Sequence, residues 1–146
     1  MEYDGYNYPD ELYYDKRHFW AKVEGDLVIM GMTEYATKAA GEIVFVEEVE
    51  VGKKVVQDRA FMSVESGKWV GRVYAQVSGE IAEINEELEF EPALVNEDPY
   101  GEGWLVQIKM ADPQELGNLL QGEAYKEWLI PEIERQNKLA AKRTGK

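Results

Sequence analysis

The stretch SVESGKWVGRVY, Ser63 to Tyr74, sets one primary amine, Lys68, between Gly67 and Trp69, with strand-forming residues on both sides. A lysine at the tip of a hairpin has full steric access, which an enzyme that modifies an amine requires. Gly67 and Gly71 lower the steric barrier to a tight reversal there. The competing reading is an ordinary solvated turn lysine, and spacing by itself favours the ordinary one. Other chemistry is scarce. The chain has no cysteine, which removes disulfides, thiolate catalysis and Cys-ligated metals. One histidine, His18, cannot make a His-rich metal site, so any redox chemistry has to come from an attached group.

The elements that must hold this amine are short. Regularly spaced Val/Ile/Phe/Tyr runs follow Gly41: EIVFV, VEV, KVV, AFMSVE, RVYAQV and EIAEI, broken by Gly-Lys, Gln-Asp-Arg, Gly-Lys-Trp and Ser-Gly. Before them, HFWAKVEGDLVIMGM reads as two strands around Glu24-Gly25-Asp26. TEYATKAA reads as a short helix capped by Thr33 and ended by Gly41. In WLVQIKM, Trp104, Val106, Ile108 and Met110 share one strand face. The pattern predicts a mostly β domain with peripheral helices, a lipoyl-domain-like flattened barrel or sandwich. Gly-Glu-Ile-(Val/Ala) occurs at Gly41 and again at Gly79, a weak hint of two related halves.

Near the C-terminus, Asp112-Pro113-Gln114-Glu115 supplies an N-cap, a first-turn proline and a carboxylate at N3. A helix with Leu116, Leu119 and Leu120 inward is expected to stop at Gly122. A second, carrying Tyr125, Trp128 and Leu129, is expected to bend or restart at Pro131. We therefore expect one domain over residues 1–130 and a helical or frayed tail over 131–146.

Composition narrows the partners. The 146 residues hold 16 Lys plus Arg against 29 Asp plus Glu, a formal net charge of −13. That field repels phosphate backbones and favours basic protein surfaces, so nucleic acid is excluded as a partner. No apolar run has transmembrane length, and the acidic, tyrosine-rich start MEYDGYNYPDELYY does not read as a signal peptide. A cytoplasmic monomer without membrane contact is expected.

From Leu12 to Trp128 the chain resembles the H protein of the glycine cleavage system, a lipoyl carrier. The resemblance lies in GEIVFVE, VES-K, VSGEI-E-NEELE, ALVNEDPYGEGWL-IK and DPQEL, of which LVNEDPYGEGWL is the most specific. It implies that Lys68 is the site of lipoate attachment through an amide. It also implies that Glu65, three residues before, and Gly79, eleven after, are read by the lipoate ligase or lipoyl transferase. The structural alternatives are a solvated strand end and a turn glycine. Implied partners are glycine decarboxylase, aminomethyltransferase and dihydrolipoyl dehydrogenase. The implied role is that of a carrier and substrate, not an enzyme.

Three positions depart from the family. Its N-terminal segment commonly reads Ser/Thr-x-Glu-His-Glu-Trp, where this chain has Arg17, His18, Phe19 and Trp20; beyond the lysine, a usual aspartate is Arg72. In the family a hydroxyl and two carboxylates at these positions cradle an aminomethyl ammonium. Two guanidinium groups suit an anion instead, since their planar forks bind one bidentately. On this ground the pattern ESGKWVGR resembles the lipoate-binding proteins that accompany heterodisulfide-reductase-like complexes in sulfur oxidation. That branch implies anionic sulfur cargo, with Arg17, His18, Phe19, Trp69 and Arg72 near the arm. Arg17 can equally be a solvated charge, and Trp69 can simply pack on the barrel rim. The alternatives are an ordinary glycine-cleavage H protein, an unmodified interaction module or lipoate store, and biotin carriage. The last is disfavoured because Gly67 and Trp69, not methionines, flank the lysine.

Overall fold

In the computed structural model, residues 1–143 are described, so residues 144–146 of the expected tail lie outside the described residues. Two unclosed sheets face each other as a sandwich. The first carries β3 (Tyr13–Tyr14), β4 (Phe19–Glu24), β5 (Leu27–Met32), β7 (Lys54–Val55), β10 (Gly79–Ile84) and β11 (Val106–Met110), in the order β3-β4-β5-β11-β10-β7. The second carries β6 (Ile43–Val46), β8 (Ala60–Ser66) and β9 (Val70–Tyr74), in the order β6-β8-β9. The expected mostly β fold with peripheral helices is what forms; the barrel does not close. Among the described residues, no helix is long and apolar enough to cross a membrane.

Local chemistry accounts for the pieces. Glu24 opposes Leu27, leaving a two-residue loop in which Gly25 has φ +64°, as the first position of a type II′ hairpin requires. Thr33 caps helix α1 (Glu34–Ala40) by accepting from the Ala36 N–H at 3.1 Å, and Gly41 ends it at φ +90°. Val28, Met30, Ile81, Val106 and Ile108 point inward from the large sheet, and Val64 and Val73 meet them from the small one, all 1 % exposed or less. This alternation is the core that period-two patterning requires. Val49–Val51 form no strand, because the chain turns there. Both Gly-Glu-Ile motifs open a strand from a glycine of positive φ, Gly41 into β6 and Gly79 into β10.

The C-terminal half departs from the sequence reading. Pro113–Asn118 forms a 3₁₀ segment capped by Asp112, and Glu115 turns from the cap to the Ser78 N–H (2.7 Å) and hydroxyl (2.9 Å). Gly122, at φ +59°, opens helix α3 (Gly122–Arg143) instead of ending a preceding one. Pro131 does not interrupt α3. It lies on the exposed side, where the carbonyl its ring leaves unbonded can meet water, while Leu129 and Ile133 on the other side are fully buried.

Alpha-3 closes a second core that pattern reading did not foresee. A hairpin of β1 (Glu2–Tyr3) and β2 (Tyr6–Asn7) leads to Tyr8 and Leu12, which join Tyr14, Trp20, Tyr125, Leu129 and Ile133. Tyr14 and Tyr125 stack at 4.0 Å, and Tyr8 meets both edge-on. Trp20 lies across Gly31, where a Cβ would come within 2.7 Å of the ring, and its indole N–H donates to the Pro99 carbonyl at 2.9 Å.

His18 borders the second core. Its Nε2 lies 3.7 Å from a Glu132 carboxylate oxygen on α3, and its ring packs against Tyr35 and Trp128. Burial holds the imidazole below its usual range, and the pull of Glu132 in the other direction is weaker. Burial also pushes Glu132 up, but hydrogen bonds from Arg135 and Gln136, with the charges of Arg135 and His18, outweigh it and leave that carboxyl low.

Leu129→Ala should lower stability by about 3 kcal/mol, the usual cost of emptying a fully buried leucine site. A urea midpoint unchanged from the parent would show that α3 is not docked. Because the folded His18 resists protonation, the unfolded chain takes the proton first. The stability held by the neutral ring is intact above about pH 6.5 and declines as pH falls through the histidine range. Urea unfolding at pH 7.5 and 5.5 should show a loss that His18→Gln reduces; equal losses in both proteins would refute the burial of a neutral His18.

Candidate functional site

Lys68 occupies the turn between β8 and β9, exposed, in the register that pairs Glu65 with Val70. The turn is closed by the Ser66 N–H donating to the Trp69 carbonyl at 2.8 Å. The buried Ser66 hydroxyl donates to the Ala40 carbonyl at 2.6 Å and accepts from the Lys68 N–H at 3.3 Å, so the turn is fastened to the end of α1. Neither Gly67 nor Gly71 has positive φ, so the expected conformational role of those glycines is not the one seen. Gly71 is required for space: a Cβ there would lie 1.9 Å from the Trp69 ring. Gly41 makes room in the same way, with Lys68 Cε 3.0 Å from where its Cβ would stand.

Beside the turn is a cleft of about 160 Å³ lined by Arg17, His18, Phe19, Met32, Tyr35, Ala36, Ala39, Ala40 and Trp69. Four of the five residues expected near the arm therefore meet in one place. Alpha-1 supplies a floor of small side chains, which sequence reading missed. The available signal was the alternation of Tyr35, Ala36, Ala39 and Ala40 along one face of a seven-residue helix. Asn96, also missed, ties this floor to β6 through bonds from its side-chain amide to the Gly41 carbonyl (2.8 Å) and from the Ile43 N–H to its oxygen (2.8 Å). It lies on α2 (Leu94–Glu97), at the start of the stretch LVNEDPYGEGWL.

The cleft wall at residues 15–19 is a built loop. Asp15, 8 % exposed, accepts from the Arg17 N–H (2.8 Å), the Phe19 N–H (3.0 Å) and the Gln76 amide (3.2 Å). Burial pushes its carboxyl up against the pull of those bonds. The loop forces His18 to φ +69°, an uncommon conformation for a residue with a side chain.

Arg17 is already paired. Its guanidinium is not without a local anion: Nη1 lies 3.0 Å from Asp58, and the group sits 4.1 Å above the Tyr74 ring. Arg72 is exposed outside the residues that line the cleft, on the same face of β9 as Tyr74. The two arginines are thus neighbours over one strand face, and one is neutralised. Trp69, 37 % exposed, packs over Gly71 and lines the cleft. Glu65 stands between Phe45 and Val70 across the small sheet. Gly79, φ +156°, lies where a Cβ would come within 1.9 Å of the Lys109 carbonyl oxygen. Its backbone need is sufficient reason for a glycine.

A family model described as glycine cleavage H-protein matches residues 12–132. A glycine cleavage system H protein of Staphylococcus carnosus is 50% identical over 121 residues, covering 83% of this chain and 96% of the relative. That of Thermus thermophilus is 48% identical over 124 residues, covering 85% and 97%. The crystal structure of a glycine cleavage system H protein from Mycobacterium marinum superposes with a TM-score of 0.75 at 34% identity, covering 83% of this chain and 98% of that one. With the exposed hairpin lysine and its cleft, these likenesses establish that the chain belongs to the glycine cleavage H-protein family, carriers of covalently attached lipoate and not catalysts.

Proposed function

We propose that Lys68 carries the lipoyl group and that this chain passes an aminomethyl cargo between the enzymes of glycine cleavage. The observation that carries the attachment site is Lys68 itself: exposed at a fastened turn, with its stem over Gly41 and an apolar cleft beside it. Among the described residues it makes no ion pair that would compete for the amine. The cleft fits the group, since Phe19, Met32, Ala36, Ala40 and Trp69 can lie against a hydrocarbon arm and its ring. When attached, lipoate supplies a dithiolane that cycles between disulfide and dithiol by exchange. Amide formation removes the lysine charge, which suits the arm to an apolar wall.

The aminomethyl cargo is supported by kinship, because relatives 45–50% identical over nearly their whole length bear the glycine cleavage name. The partners on this reading are glycine decarboxylase, aminomethyltransferase, dihydrolipoyl dehydrogenase and a lipoate ligase or transferase, all met in the cytoplasm. The carrier body extends past residue 130, because α3 runs unbroken to Arg143 and Ile133 is buried in the second core.

One observation favours a second reading, anionic sulfur cargo delivered to a heterodisulfide-reductase-like complex. The cleft lining contains no carboxylate, while Arg17 is part of it. Like charges about 4 Å apart repel by roughly 1 kcal/mol in water and several-fold more in a cleft. The Asp58 partner of Arg17 weakens that argument, and Arg72, although it has no ion pair among the described residues, stands outside the cleft lining.

Intact mass after incubation with lipoate ligase, ATP and lipoate should rise by one lipoyl group, and Lys68→Arg should abolish the gain; lipoylation of the variant would sink the assignment. Glycine–bicarbonate exchange with glycine decarboxylase then separates the cargoes. The aminomethyl reading expects the lipoylated protein to support exchange. Failure of the parent, relieved by Phe19→Glu with Arg72→Asp, would transfer the assignment to anions.

A further inference from the structure

Among the described residues that line the cleft, Arg17 is the only one with a fixed charge. An ammonium carried into the cleft therefore meets a guanidinium and no carboxylate, and whatever holds that guanidinium decides how the cleft treats charge. The holder comes from outside the lining. Asp58, 41 residues on in sequence, accepts from Arg17 Nη1 at 3.0 Å. On its other side the guanidinium stands 4.1 Å above the Tyr74 ring, so the head of Arg17 is held at two points on the β9 side of the cleft.

Backbone bonds set both ends of this contact. The Arg17 N–H donates to the buried Asp15 carboxylate, which anchors the arginine's Cα. Asp58 has φ +67°, uncommon for a residue with a side chain. Its N–H donates to the Ala75 carbonyl at 2.8 Å, and the Ala75 N–H returns a bond to the Arg59 carbonyl at 2.9 Å. The Gln57 amide fastens the same loop to the carbonyls of Gln76 and Glu115. Glycine would satisfy that φ at no steric cost, so the carboxylate is what the position adds. Arg72 supplies an opposing push. It lies on the same face of β9 as Tyr74, two residues away, with a like charge. Without Asp58, Arg17 would stand unneutralised beside Arg72, and its long side chain would relieve the repulsion by turning into the cleft it already lines.

We propose that Asp58 is a positioning residue that sets the charge the cleft offers its cargo. It pins the Arg17 guanidinium on Tyr74, and a cleft with no carboxylate in its lining can then admit a cationic aminomethyl group. The inference rests on the aminomethyl reading. Asp58 acts through Arg17 and touches no reacting atom. Both side chains are partly exposed, so the pair is worth a few-fold in selectivity and not orders of magnitude.

The test variant is Asp58→Asn, because asparagine tolerates positive φ, and its urea midpoint is the check on folding. In the unmodified full chain, the Arg17 Nε–Hε NMR signal should leave the position that stacking on Tyr74 gives it. Sodium thiosulfate, titrated against sodium chloride at fixed ionic strength, should bind the variant about threefold more tightly than the parent. Asp58→Glu should restore both the signal and the parent affinity. Arg17→Gln/Asp58→Asn should show no gain over Arg17→Gln alone. In the lipoylated chain, Asp58→Asn should lower kcat/KM for glycine–bicarbonate exchange about threefold. An Arg17 signal and a thiosulfate affinity that Asp58→Asn leaves unchanged overturn the proposal, while exchange by the parent keeps the aminomethyl reading. A thiosulfate gain that survives Arg17→Gln shows net charge at work in place of Arg17 and also overturns it. Exchange absent in the parent overturns the aminomethyl reading and, with it, the role of Asp58 in admitting a cation.

Discussion

The hydrogen bond from the Ser66 hydroxyl to the Ala40 carbonyl, 2.6 Å long and buried, is the contact on which the site depends. It joins the end of β8 to the end of α1, two segments 26 residues apart in sequence. Without it the lysine turn would be a hairpin tip free of the body. With it, the amine is exposed but its stem lies over Gly41, at the mouth of the cleft. Asn96 reinforces the same junction from the other side by bonding the α1 carbonyls and the first strand residue after Gly41. A buried polar junction of this kind is stabilising only when fully paired, and here each group has its partner.

The cleft itself is made of what is small. Ala36, Ala39 and Ala40 line α1, Gly71 admits the Trp69 ring, and Gly41 admits the lysine stem. Space between packed elements in a protein is normally filled, so a row of short side chains facing a tryptophan leaves a slot that a hydrocarbon arm can take. Opposite, the Asp15 loop and the His18–Glu132 contact hold the wall by linking it to α3. The aromatic second core, built from the N-terminal hairpin and α3, therefore bears on the site through His18, Tyr35 and Trp128, although most of it is distant from the lysine.

Charge is distributed unevenly over this body. The outer edge of the small sheet is acidic and apolar, whereas Arg17 and Arg72 gather over the middle of β9. Pairing with Asp58 and stacking on Tyr74 moderate the first arginine. Net formal charge would have missed this separation, since a total of −13 says nothing about where the positive groups lie.

Period-two alternation was enough to locate most strands and the core-facing residues of β11, because a half-buried strand writes its burial into every second position. The Thr33 cap, the Gly25 turn and the amine at Lys68 were equally legible, since each rests on local chemistry. The 3₁₀ segment at Pro113, the uninterrupted α3 and the N-terminal hairpin were not. Their form is set by what packs on them: Glu115 drawn to Ser78, Leu129 and Ile133 buried on either side of Pro131, and tyrosines stacked across a gap of 111 residues. By itself, then, the sequence determined a β sandwich with an accessible amine on a hairpin turn, and its family. Only the tertiary structure decided that Arg17 has an anion beside it, that Gly71 is a site of ring contact, and that α1 floors a cleft. The first and last depend on which side chains meet across long loops, and the second on where the hairpin lays the Trp69 ring; local pattern carries no record of either.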